Sequence, residues 1–314
     1  ADEAKLLFAT VSPTGNPLNT RVFAPWAQRV NEQGKGTLQI DVREGTTLAN
    51  FGNVYNRVLD DVVQVGWALQ DAIGGKFVLS EVGGLPFLFD KSEHGSAAFW
   101  RLYKTGVLGA EYAEVVPLML APLGQVLVSL TKAPKSVDDL GGAKLMVGGK
   151  IQGDIARRLG ATPISLQWSE IYEGLQRGTI DGAVTGWSTV AALKLGEVVT
   201  YHVDAPLGTS VGMIFMAKKR YDALPAAARK IIDDNLGEGE SRKIGAHFDG
   251  TAAAARAAAK ASGKQSVMEL SAEQAKAWQQ KVAPVVDDWA KSRAGGEKAR
   301  ESFRAILAQV KASG

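Results

Sequence analysis

Apolar and polar positions alternate in short stretches along most of this chain. Residues 6–11 and 37–42 read as strands, and the apolar run at 62–68 reads as a buried one. A turn-rich loop covers 12–17, and helical spacing follows to about 31 and again over 48–59. The longest apolar stretch, 115–130, is broken by Pro117, Pro122, Gly124 and Gln125, so it predicts two strands and no membrane span. Residues 143–147 form another short apolar run, followed by Gly148, Gly149 and a helical pattern closed by Gly160. A run at 163–166 comes next. Ser169 is placed to cap a helix over 170–177, Gly178 to end it, and 180–184 to form a third strand. Residues 210–217 read as a strand. Pro225 opens a proline-free helical stretch to 262, in which Gly237, Gly239, Gly245 and Gly250 are interruptions. Ser271 and Gln274 form a capping box for a later helix.

Strand, helix, strand, helix, strand over residues 143–184 describes a parallel α/β unit. In such units ligands bind beyond the carboxyl ends of the strands. That rule selects residues 146–150, 167–169 and 185–188. A chain of 314 residues exceeds the usual size of one domain, so two lobes are expected. The charges nearly balance, 36 basic against 33 acidic, without a basic stripe, and this argues against a nucleic-acid partner. The chain has no cysteine, which excludes thiol catalysis and suits an oxidising compartment.

Few catalytic or cofactor motifs survive inspection. Gly208-Thr209-Ser210-Val211-Gly212 has the spacing of a serine-hydrolase elbow, but that chemistry needs a helix after the serine, and here the pattern continues as a strand. His94, His202 and His247 lack a second ligand at metal spacing, and no lysine sits in a phosphate-loop motif. The reading is therefore no enzyme, no metal and no cofactor.

Several segments together resemble the solute-binding proteins of tripartite ATP-independent periplasmic (TRAP) transporters. They are Lys135-Ser136-Val137-Asp138-Asp139-Leu140-Gly141-Gly142, the turn Leu159-Gly160-Ala161-Thr162-Pro163, and Ser169-Glu170-Ile171-Tyr172 with Leu175-Gln176-Arg177-Gly178 and Ile180-Asp181-Gly182. Gly84-Leu85-Pro86-Phe87-Leu88-Phe89 upstream and Lys219-Arg220-Tyr221-Asp222-Ala223-Leu224-Pro225 downstream fit the same pattern. The resemblance implies a two-lobed periplasmic α/β binding protein with a long lobe-spanning helix. It places residues 1–122 and 211–250 in lobe I, and 123–210 and 251–314 in lobe II. It further implies a small organic ligand, TRAP membrane permease subunits as partners, no direct membrane insertion, and lobe closure around the solute. The start Ala1-Asp2-Glu3-Ala4 reads as the mature end left by signal-peptide removal.

The family usually carries an arginine in the strand at 143–147, which pairs with the substrate carboxylate, and often a second in the preceding strand. Here those positions read Met146 and Leu123-Gly124-Gln125. A bidentate arginine–carboxylate pair is hard to replace. The expected ligand is therefore aromatic, neutral or cationic, packed against Met146, Trp67, Trp168 and Trp187. Gln70, Gln125, Thr185 and Ser210 are the candidate polar contacts, and Gly148 lies at the strand end. The alternatives are an organic acid held by another basic residue, Lys150 first, or a ligand sensor.

Overall fold

The computed structural model describes residues 2–314; Ala1, at the expected mature end, lies outside them. In chain order the strands are β1 (Ala4–Ala9), β2 (Leu38–Arg43), β3 (Val65–Leu69), β4 (Val115–Pro122), β5 (Val126–Leu130), β6 (Lys144–Met146), β7 (Thr162–Ile164), β8 (Gly182–Gly186), β9 (Tyr201–Asp204), β10 (Val211–Ala217) and β11 (Ser266–Glu269). The helices are α1 (Ala24–Gln33), α2 (Val54–Leu59), α3 (Ser92–Lys104), α4 (Lys150–Arg158), α5 (Ile171–Arg177), α6 (Trp187–Ala192), α7 (Lys218–Asp222), α8 (Ala226–Asp233), α9 (Glu238–Ala261), α10 (Ala272–Lys291) and α11 (Gly296–Ser313).

The strands form two sheets, ordered β2-β1-β3-β10-β4 and β11-β9-β5-β8-β6-β7. Each sheet is the centre of one lobe. The chain leaves the first sheet at β4 and returns to it at β10, which lies antiparallel between β3 and β4. Every residue of β10 is buried, as expected of an apolar strand covered on both faces. In the second sheet β6 runs parallel to both β7 and β8, which realises the α/β unit read from the pattern. β5 closes it antiparallel to β8 and β9.

α9 packs on α3 and β4 of the first lobe and on α6 and β11 of the second, so it spans both. Asp249 on α9 accepts from the backbone N–H groups of Ser92 and Glu93 at 2.7 and 3.0 Å, which satisfies the free donors at the start of α3. The expected helix from 226 to 262 is interrupted. Gly237, at φ +114°, separates α8 from α9 in a backbone conformation that other residues rarely adopt. α10 packs on α4, but α11 returns to α3, and Phe303, Leu307 and Val310 are buried in the first-lobe core. The assignment of 251–314 to lobe II therefore does not describe the last helix: the apolar stripe of α11 finds its partner on α3.

Two local expectations also change. Helix is present at 54–59 but not at 48–53, because Asn50 Oδ1 accepts from the backbone of Gly52 and Asn53 and holds a turn there. Ahead of α5 the capping box belongs to Gln167 and Glu170 rather than to Ser169. The Gln167 backbone N–H donates to Glu170 Oε2 at 2.8 Å, over the short 3-10 turn Trp168–Glu170.

Candidate functional site

The lobes meet where two chain crossings lie side by side. The Leu123 N–H donates to Ser210 O at 2.9 Å, and the Val126 N–H to Gly208 O at 2.8 Å. The Gly208 N–H donates to Gln125 Oε1 at 2.8 Å. The crossing is tight. A Cβ on Gly208, whose φ is +104°, would lie 2.4 Å from the Gly84 carbonyl oxygen. The segment Gly84–Phe89 singled out by the family pattern thus begins against this crossing.

Between the lobes lie two adjoining cavities of about 250 and 210 Å³. They share Asp71, Gly148, Gln152, Thr209 and Ser210, so they form one continuous cleft. The second-lobe wall includes the first turn of α4, whose leading N–H groups carry no intrahelical partner and a partial positive charge. Phe77, Ile151 and Val211 supply apolar surface in the larger cavity. Among the described residues lining either cavity there is no arginine.

The sheet register brings several candidate residues together. Leu127 pairs with Thr185, and Met146 with Ala183, which puts Thr185 and Met146 on one face of the second sheet. Gln125 lies two residues before Leu127. The Gln125 Nε2 and Thr185 Oγ1 atoms are buried and have no hydrogen-bond partner. Gln70 Oε1, at the end of the first-lobe strand β3, is in the same condition. Gln70 lines the larger cavity, and Gly148 and Ser210 line both. Gln125 and Thr185 line neither cavity but flank residues that do, Gly124, Val126, Val184 and Gly186. Buried polar atoms are almost always paired in folded proteins, so unpartnered ones in or next to a cleft mark places where a ligand or water is to bond.

The tryptophans divide. Trp67 does not face the cleft: it is 2% exposed, packs against Phe23 at 5.1 Å between ring centroids, and lies over Gly212, where a Cβ would come within 2.1 Å of the ring. Its apolar mass fills the first-lobe core. Trp187 is buried on the face of the second sheet that carries Leu127, Met146 and Ala183, its Nε1 donating to Asp204 Oδ1 at 3.2 Å, with the Arg256 guanidinium 5.8 Å from the ring centroid. Arg256 is itself paired with Asp204 at 2.6 Å. Trp187, the first residue of α6, therefore ties that helix to β9 and α9 and lines neither cavity. Met146 is buried in the same apolar cluster, with Leu127, Ile171 and Ala183. Trp168 alone of the three is exposed, at 56%, on the turn ahead of α5. The four do not form one aromatic pocket.

Lys150 lines the larger cavity, yet its side chain is 89% exposed and its Nζ is 2.9 Å from Asp154 Oδ2. It is a solvated, locally paired charge. Ser210 Oγ donates to Asp71 Oδ2 at 2.7 Å and leads directly into β10, so the elbow geometry of a hydrolase is not formed. Gln152, Asp71, Phe77 and Ser80 line the cleft without having been singled out from the pattern. Gln152 sits two residues past the strand-end window. The other three come from the segment after β3, where only short 3-10 turns form and the pattern carries no periodic signal.

Residues 8–292 match the family described as bacterial extracellular solute-binding protein, family 7. The chain is 26% identical over 324 residues to the outer membrane transporter protein TsaT of Comamonas testosteroni, covering 98% of this chain and 93% of that one. It is 26% identical over 227 residues to the C4-dicarboxylate-binding periplasmic protein DctP of Rhodobacter capsulatus, covering 69% of this chain and 65% of that one. Its structure superposes on a TRAP solute-binding protein of Rhodoferax ferrireducens T118, crystallised with copurified benzoate, with a TM-score of 0.86, 27% identity and 99% of both chains covered. Proteins of this family are extracytoplasmic receptors that bind small ligands and work with membrane permease components. By these matches the chain belongs to bacterial extracellular solute-binding protein family 7, as a small-solute receptor of the TRAP type and not an enzyme.

Proposed function

We propose that this receptor captures a small aromatic solute through neutral hydrogen-bonding groups, with aromatic carboxylates as the first class to test. The observation that carries this reading is the set of buried, unpartnered atoms Gln125 Nε2, Thr185 Oγ1 and Gln70 Oε1 beside a cleft lined by no arginine. A dicarboxylate closed into such a cleft loses its hydration without gaining a charged partner for each end. A single oxygen-bearing group needs less: the Gln125 amide, the Thr185 hydroxyl and the first turn of α4 supply donors for it. The ring finds apolar surface on Phe77, Ile151 and Val211, and the exposed Trp168 closes on it as the lobes come together. The copurified benzoate of the Rhodoferax protein supports the same ligand class.

Calorimetric titration with benzoate, other aromatic acids, aromatic amines and succinate tests the reading. Micromolar affinity for at least one aromatic compound and none for succinate is expected. Micromolar succinate binding without heat from any aromatic compound overturns it.

The extracellular placement of the family further supports export behind a cleaved leader and delivery of the solute to a TRAP permease. Fractionation of cells carrying the full gene, with sequencing of the exported N-terminus, tests the first. Uptake lost on deletion of the receptor gene tests the second and separates transport from sensing.

A further inference from the structure

We propose that the first-lobe wall of the cleft selects, among aromatic solutes, those carrying a hydrogen-bond donor on the ring, a hydroxyl or an amino group, because Gln70 is held as an acceptor. The inference rests on the aromatic-capture reading and adds a specificity-determining residue to it.

The argument starts at Glu111. Its carboxylate accepts from the backbone N–H groups of Leu79 and Ser80 and from the Ser80 hydroxyl at 2.7 Å. A carboxylate bonded in this way only accepts, so the one Ser80 hydroxyl proton is spent on it. Ser80 Oγ is also 2.8 Å from Tyr112 Oη, and in that contact Tyr112 must donate. Burial raises the Tyr112 pKa further above its ordinary value, so the phenol keeps the proton it donates. Tyr112 Oη then meets the Gln70 amide at 2.8 Å as an acceptor, and the amide must present its Nε2. The other side of the same nitrogen lies 3.7 Å from Met213 Sδ.

Both amide protons are therefore directed inward. A flipped amide would set Oε1 against a tyrosine oxygen that has no proton left to give. Gln70 is 5% exposed, it lines the larger cavity, and its Oε1 has no partner. The neighbouring acceptors differ in kind: Ser210 donates to one oxygen of Asp71, and Arg293 and the Trp289 indole to one oxygen of Glu81, and both carboxylates remain accessible to water, so a ligand without a donor leaves neither of them buried and unpaired. Hydrogen-bond polarity is thus transmitted from Glu111 through two hydroxyls to the cleft, where it leaves one buried acceptor for the ligand. A ligand without a donor at this point leaves that acceptor unpaired, which is costly.

The test is calorimetry on the intact protein with benzoate and the ring isomers of hydroxybenzoate, aminobenzoate and methoxybenzoate. The best hydroxy or amino isomer is expected to bind about tenfold more tightly than benzoate. The corresponding methoxy ether, which keeps the oxygen but lacks the proton, is expected to bind less tightly than benzoate. Gln70→Met should abolish the preference. Tyr112→Phe removes the group that orients the amide, so the ether should regain affinity relative to the phenol. If the native protein binds phenols and their ethers equally, the inference is wrong while aromatic capture stands. If it binds no aromatic compound, the reading beneath it has failed as well. The native comparison decides the matter even where a variant does not fold.

Discussion

The two walls of the cleft are built on different principles. On the first lobe the polar groups are committed: Gln70 to Tyr112, Asp71 to Ser210, Glu81 to Arg293. Among the described first-lobe residues lining the cleft, one side-chain atom, Gln70 Oε1, is buried and without a partner. On the second lobe the wall is glycine backbone, the first turn of a helix and the ends of β5 and β8, with two unpartnered side-chain atoms, Gln125 Nε2 and Thr185 Oγ1, next to lining residues and an exposed tryptophan outside both cavities. A committed wall is pre-organised, so little is lost in ordering it when a ligand binds. An uncommitted wall adapts on closure. The difference suggests that the first lobe discriminates and the second encloses.

The largest effect that would sharpen this contrast lies under the first wall. Trp67→Ala should cost roughly 3–5 kcal/mol of stability, because the ring fills a packed core. Thermal denaturation should show the loss with or without ligand. A normal melting temperature with weakened binding would put Trp67 in the cleft after all.

Met146→Arg comes next. An unpaired guanidinium in the apolar cluster around Leu127 and Ile171 should destabilise the free protein by about 3 kcal/mol. Carboxylate ligands should restore part of the melting temperature by mass action. If the variant is as stable as the parent and gains no carboxylate affinity, the side chain has escaped to solvent and the cluster next to the second wall is not closed.

Trp168→Ala should weaken aromatic binding by about 2 kcal/mol, roughly thirtyfold. Its stability should change by less than about 0.5 kcal/mol, since the indole is largely exposed. Unchanged affinity would remove Trp168 from the enclosing role.

The smallest effect concerns the pH response behind the second wall. Burial holds His202 below its ordinary pKa. Gln265 Oε1 accepts from Nε2 at 2.7 Å, and the Ser129 hydroxyl then donates to Nδ1 at 2.8 Å, an arrangement of the neutral ring. A lowered folded pKa means that the unfolded chain binds the proton first. This stabilisation is complete above about pH 6.5 and is lost as the pH falls below that value. Melting temperatures between pH 7 and 5 should therefore fall, and His202→Gln should flatten the slope. His247, also held low by burial, leaves a residual slope in both proteins. An unchanged slope in the variant would show that His202 does not report on this lobe.

Much of this architecture was legible in residue order. Short-range patterning encodes strands such as β10 and the β6–β8 unit, because period and turn residues act within a few positions. Strand ends and family pattern also named the polar side chains Gln70, Gln125 and Thr185, of which Gln70 lines a cavity and the other two sit next to lining residues. Which face each tryptophan occupies was not legible. Trp67 and Trp187 look as available in the sequence as Trp168, and only packing against Phe23, Gly212, Asp204 and Arg256 removes them from the cleft. The return of α11 to the first lobe was hidden for the same reason, since an apolar helical stripe does not name its partner. The orientation of the Gln70 amide needed three side chains from separate segments, Tyr112, Ser80 and Glu111. Periodicity and capping are local, and residue order carries them. The direction of a buried hydrogen bond depends on what lies at the far end of the chain of donors, and only the tertiary structure sets that.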